Sequence, residues 1–177
     1  TACVMCHQCG VAVKPVDVGM VRDTTARTDL KVMYGTRNMT KEPAMTREEA
    51  VKGIEAGITM AEELKSQGYR LLATGEMGIG NTTTSSAVAS VLLDQPVEAM
   101  TGRGAGLSSE GLIRKINAIK SAITLNKPDP EDPIDVLAKV GGLDIAGMAG
   151  VYLGGAALHL PVLIDGFISG VAAIVAA

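Results

Sequence analysis

The run Gly75-Glu76-Met77-Gly78-Ile79-Gly80-Asn81-Thr82-Thr83 constrains the fold more than any other segment of the chain. A β-like run, Tyr69 to Thr74, leads into it, and a helix-like run, Thr82 to Leu93, leaves it. A strand entering a glycine-rich turn that opens a helix gathers backbone N–H groups at the positive end of the helix dipole. That arrangement favours an anion, phosphate above all. Glu76 lies inside the turn, where a loop built only for phosphate would avoid a carboxylate. The combination predicts a site that anchors an anion and also handles a cationic or protonated group.

The run is not a Walker A loop, because no Gly-Lys-Ser/Thr follows its glycines. It is also a poor dinucleotide fingerprint, with Thr83 where the third glycine belongs. Asn81, Thr82 and Thr83 would add side-chain donors at the helix start. On glycine content alone, a phosphate cradle and a tight turn without a ligand are equally open readings. Glu76 likewise reads either as a solvated loop carboxylate or as a group that takes a proton or stabilises a cationic leaving group.

Strands and helices alternate along the rest of the chain. Val11 to Val18 reads as a strand, and Asp23 to Glu42 as a long loop. Thr46-Arg47-Glu48-Glu49 is a capping box that starts a helix with Val51, Ile54, Ile58, Ala61 and Leu64 at helical spacing, ended by Gly68. A second glycine-rich loop holds Gly102-Arg103-Gly104, and Ser108 or Ser109 then caps a helix with Leu112, Ile116, Ile119 and Ile123 on one face. Asp132-Pro133 opens a short helix to Lys139. Leu143 to Leu158 reads as a buried helix, Pro161 to Ile164 as a buried strand and Phe167 to Ala177 as the last helix.

This order predicts an α/β fold of Rossmann-like type, a mostly parallel sheet with helices on both faces, in a single domain over residues 1–177. Ligands of such sheets bind beyond the carboxyl ends of the strands. Asp17, Glu76 and Asp165 each follow a predicted strand, so all three are expected at that edge. Lys115, in the N-terminal half of its helix, is placed to reach a phosphate there, whereas Lys120 lies farther away. Both would otherwise snorkel to solvent. Arg103 either brings a guanidinium to an anion or leaves the turn to its flanking glycines.

Composition narrows the function classes. The chain has 177 residues, 47% hydrophobic and 20% charged, which suits one globular domain with a sizeable core. With one Phe, three Tyr, no Trp and a net charge of −3, it lacks both the stacking platform and the basic footprint of a nucleic-acid binder. Ile145 to Ile164 approaches a transmembrane length but is rich in Gly and Ala, contains Pro161 and is followed by Asp165, so no membrane span is expected. Cys3, Cys6 and Cys9 have C-x-x-C-x-x-C spacing around His7. No second cysteine pair completes a metal set, so they read as helix-packed thiols in a reducing cytoplasm, without a metal. The chain starts at Thr1 and ends in an uncapped helix-like run, so both ends read as cut from a longer protein.

The glycine run resembles the signature of the nicotinate-nucleotide–dimethylbenzimidazole phosphoribosyltransferases. The resemblance extends through Glu42-Pro43-Ala44-Met45-Thr46, Gly102-Arg103-Gly104, Glu110-Gly111-Leu112, Lys115 and Asp135-Val136-Leu137-Ala138-Lys139-Val140-Gly141-Gly142, and on to Asp165-Gly166-Phe167-Ile168-Ser169. It implies transfer of the phosphoribosyl group of nicotinate mononucleotide to 5,6-dimethylbenzimidazole, a Rossmann-like fold, a homodimer and no cofactor. It further implies that Gly78, Gly80, Asn81 and Thr82, with Gly102, Arg103, Gly104 and Lys115, hold the nucleotide. Glu76 would lie near the nicotinate and base pocket, and Asp165 and Gly166 would border the ribose phosphate. The family's general base is a glutamate near its C-terminus, past the last residue of this chain, and its N-terminal segment is also missing. The chain by itself is therefore expected to be inactive. The cysteines are not part of the family pattern.

Overall fold

The computed structural model describes residues 2–177. Helices dominate: α1 (Ala2–Gln8), α2 (Arg47–Ser66), α3 (Thr82–Leu92), α4 (Val97–Met100), α5 (Ser109–Asn126), α6 (Pro133–Val140), α7 (Leu143–Ala157) and α8 (Gly166–Val175). Two short strands, β1 (Leu72–Ala73) and β2 (Val162–Leu163), pair in parallel with Leu72 opposite Val162 and Ala73 opposite Leu163. The α/β class and the parallel sense hold. Among the described residues the sheet is far smaller than the alternation of elements predicts. Val16 forms only an isolated bridge to Arg27, so the expected strand over Val11 to Val18 does not join β1 and β2.

Local chemistry explains the helix ends. Thr46 accepts from the Glu49 N–H while Glu49 accepts from the Thr46 N–H, a reciprocal cap that satisfies two orphan donors of α2. Asp132 accepts from both Ile134 N and Asp135 N at 3.1 Å, with Pro133 supplying a first-turn φ at no hydrogen-bond cost. Ser108 caps α5 through the Gly111 N–H.

The core is organised by the packing of α2 on α7. A Cβ on Gly57 would lie 1.9 Å from the Gly147 carbonyl oxygen, and one on Gly150 would lie 1.9 Å from that of Ile54. The two backbones therefore touch, and only glycine fits at their crossing. Helices α3, α5, α6 and α8 complete one apolar cluster with Val88, Ile119, Leu137, Ile145 and Val171 fully buried. A smaller cluster of Ala61, Leu72 and Leu160 fastens β1 to α2 and to the chain entering β2. No described helix is long and apolar enough to cross a membrane.

Helix α1 carries the cysteines. Cys3 and Cys9 are exposed and Cys6 is half-buried, so the thiols are on a helix as expected but are not packed into a core. Among the described residues they form no cluster able to hold a metal ion.

Candidate active site

The parallel pairing of β1 and β2 brings the segments that follow them to one edge. Thr74 N donates to Leu163 O at 3.4 Å, and Gly75-Glu76 and Asp165-Gly166 continue from there. Asp165 is exposed and makes no side-chain cap bond to α8, and Gly166 turns the chain with φ +76°. Gly78 and Gly80 likewise take positive φ, +70° and +80°, which lets the turn deliver the chain into α3.

Asp17 is taken up by its own loop rather than left open at an edge. It is 2% exposed and accepts from Gly19 N, Met20 N and Thr24 Oγ1, with Lys31 Nζ at 3.1 Å. Burial pushes its carboxyl up, but the Met20 N–H, Lys31 and Thr24 outweigh that and leave it below the usual range. It is a staple of its own loop.

Two consecutive residues at the start of α3 divide the site by charge. Thr82 Oγ1 accepts from Lys115 Nζ at 2.9 Å, and the Gly102 carbonyl accepts from the same ammonium at 3.1 Å. Lys115 is 7% exposed, and none of the ion pairs among the described residues includes it. Burial pushes its pKa down. Gly104, with φ +57°, closes over this point; a Cβ there would lie 3.0 Å from Thr82 Oγ1 and 3.8 Å from Lys115 Nζ. A buried ammonium without a counter-charge beside a helix N-terminus and a glycine loop favours an anion at this point.

On the other side of the α3 start, Asn81 Nδ2 donates to Glu76 Oε2 and to Asp144 Oδ2, each at 2.6 Å. Glu76 also accepts from the Gly78 N–H. Burial pushes the Asp144 carboxyl above its usual range; bonds from Asn81 and the Ile145 N–H pull it back, and the charge of Glu76 pushes it further up. This half of the site is acidic and suits a cationic group.

The remaining candidates divide clearly. Arg103 donates to Leu107 O at 2.8 Å and to Ser109 Oγ at 3.1 Å, so its guanidinium braces the second glycine loop. Lys120 is exposed and paired with Glu98. An open groove of about 590 Å³ lined by Ile54, Ile58, Ile134 and Leu153 lies elsewhere and contains none of the candidate residues. Sequence reasoning missed Asp144. The available signal was a lone carboxylate one residue into an otherwise apolar helix, directly after Gly141-Gly142.

Comparison with known proteins places the chain in a family. A phosphoribosyltransferase family profile matches residues 1–177. The chain is 58% identical over 163 residues to the nicotinate-nucleotide–dimethylbenzimidazole phosphoribosyltransferase of Acetivibrio thermocellus, covering 91% of this chain and 46% of that one. To the enzyme of the same name from Clostridium acetobutylicum it is 53% identical over 175 residues, covering 98% and 50%. The crystal structure of CobT from Thermus thermophilus superposes with a TM-score of 0.90 at 40% identity, covering 98% of this chain and 53% of that one. The chain thus spans about half the length of the relatives it matches. With the profile matched from end to end and the backbone shared with a solved relative, the chain belongs to the phosphoribosyltransferase family.

Proposed function

We propose that the full-length protein moves the phosphoribosyl group of nicotinate mononucleotide to 5,6-dimethylbenzimidazole, giving α-ribazole 5′-phosphate and nicotinate, in the assembly of the cobalamin lower ligand. The observation that carries this reading is Lys115: a buried ammonium hydrogen-bonded only to Thr82 Oγ1 and Gly102 O, with no carboxylate partner. Nicotinate mononucleotide is anionic at its phosphate and cationic at its ring nitrogen. The Lys115 side suits the first and the Glu76–Asp144 side the second.

In the reaction the C1′–N bond of the nucleotide breaks, and its electron pair neutralises the pyridinium nitrogen of departing nicotinate. A benzimidazole nitrogen forms the new bond to C1′, and the proton on its other nitrogen passes to a base. Positive charge on the ribose rises in the transition state, so a fixed carboxylate such as Glu76 stabilises it. The base is the family's C-terminal glutamate, which by the resemblance lies past Ala177. Because the leaving group is already cationic, the step calls for no metal or cofactor. Gly78, Gly80, Thr82, Gly102 and Gly104 would bring backbone and hydroxyl groups to the phosphate, with Asp165 and Gly166 at the ribose phosphate. Arg103 would act by holding the second loop. We further propose that β1 and β2 belong to a larger Rossmann-like parallel sheet in the full-length protein, which acts in the cytoplasm as a homodimer.

The test is an assay of the full-length protein with both substrates, followed by chromatography for α-ribazole 5′-phosphate. Product formation is expected, with none from residues 1–177 alone. A folded full-length protein that binds nicotinate mononucleotide but yields no product would favour a nucleotide-binding module instead.

A further inference from the structure

We propose that Asp144 is a positioning residue for Glu76, acting through the side-chain amide of Asn81. The inference rests on the transferase reading, in which Glu76 borders the bond that breaks. Asn81 stands at the N-cap of α3, where such a side chain normally accepts from the helix's own N–H groups. Here it makes no cap bond. Its two amide hydrogens instead reach the carboxyl groups of Glu76 and Asp144, both at 2.6 Å.

The other end of that tie is rigid. Asp144 lies in the first turn of α7, the helix whose backbone touches that of α2. A Cβ on Gly142 would lie 2.7 Å from Asp144 Oδ1 and 3.5 Å from Thr84 Oγ1, so the half-buried carboxyl lies against the Gly142 backbone, close to the first turn of α3. Asn81 Oδ1 is buried without a hydrogen-bond partner, an unfavourable arrangement that the two amide bonds offset.

Glu76, by contrast, belongs to an open turn. Met77 and Ile79 beside it are each 81% exposed, and apart from Asn81 its carboxylate is held by the Gly78 N–H. Without Asp144 the Asn81 amide loses its second anchor, and only that freed amide and the Gly78 N–H hold the carboxylate. A displacement of about 1 Å at a reacting centre costs on the order of 100-fold in rate.

The test uses the full-length enzyme, with steady-state α-ribazole phosphate formation and thermal melting of each variant. Asp144→Ala is expected to lower kcat about 10- to 100-fold while the KM for nicotinate mononucleotide stays within about threefold, since Lys115 still holds the phosphate. Asn81→Ala should lower kcat at least as much, with a rise in KM as well because the resemblance also sets Asn81 among the nucleotide-holding residues. The double variant should lose no more than about twofold in kcat beyond Asn81→Ala. Asp144→Asn, which keeps an acceptor for the Asn81 amide, should recover most of the loss. A kcat for Asp144→Ala within twofold of wild type, or losses that multiply in the double variant, would overturn the proposal. If Asp144→Ala does not fold, Asn81→Ala decides: a normal kcat there rejects the tie. Absence of turnover in the wild type would instead reject the transferase reading, and this inference with it.

Discussion

Lys115 Nζ lies 2.9 Å from Thr82 Oγ1, joining the middle of α5 to the first residue of α3 at a point where no carboxylate balances the charge. Asn81, one residue earlier, faces Glu76 and Asp144 instead. One helix start therefore separates a cationic subsite from an acidic one, which matches the two ends of a pyridinium nucleotide.

The lowered pKa of Lys115 sets a pH limit on binding. Its ammonium gives up its proton below the ordinary value of 10.5 because burial disfavours the charged form. The affinity of the full-length protein for nicotinate mononucleotide should thus begin to weaken on the alkaline side below pH 10.5. Calorimetric titrations across that range check it. In the absence of nucleotide the sign for stability is opposite: the unfolded chain binds the extra proton, so this lysine's unfavourable contribution is relieved as pH rises through the folded pKa.

Glu49 makes the acid side equally specific. The Arg37 guanidinium and the Thr46 N–H hold its carboxyl at about 2, against an ordinary 4.5. A depressed carboxylate stabilises above its unfolded pKa and loses that contribution as pH falls through the folded one. Glu49→Gln should cost about 1 kcal/mol near neutral pH, a figure already reduced for solvent screening. The difference should vanish as pH approaches 2, which chemical denaturation at several pH values would measure.

The helix crossing predicts a contrast between two glycines. Gly57→Ala puts a methyl 1.9 Å from the Gly147 carbonyl and 2.7 Å from Val151 N, backbone atoms that have no rotamer to yield. It should destabilise by roughly 3 kcal/mol or more. Gly170→Ala in α8 meets nothing within 4 Å and should be neutral or stabilise by about 0.5–1 kcal/mol. Thermal melts of the two variants read the difference.

Features set by neighbours in sequence were legible, and those set by distant partners were not. The capping box at Thr46 and the Asp132-Pro133 start predict α2 and α6 to within a residue or so, because the bonds involved span three residues or fewer. Strand length depends on a partner, so Tyr69 to Thr74 yields only Leu72–Ala73 as paired strand. The large apolar residues of α5 suggest a face through Leu112, Ile116, Ile119 and Ile123; Ile119 is buried as expected, but the rest of the buried stripe is Gly111, Lys115 and Ala122. Small residues at Gly111 and Ala122 let α5 approach closely, and that rotates Lys115 inward. Asp144 was hidden by the apolar run around it, and the pairing of Asp17 with Lys31, 14 residues away, left no mark in the local sequence.

The most direct test of the account is nucleotide binding by Lys115→Ala and Lys120→Ala variants of the full-length protein. Lys115 is buried and without an anionic partner, whereas Lys120 is exposed and already paired with Glu98. Losing a charge-assisted hydrogen bond to phosphate costs about 1.5–3 kcal/mol, so Lys115→Ala should raise the Kd for nicotinate mononucleotide at least about tenfold. Lys120→Ala should leave it within about twofold, since exposed ion pairs contribute little. Equal effects of the two substitutions, or no effect of Lys115→Ala, would contradict the assignment of the phosphate subsite.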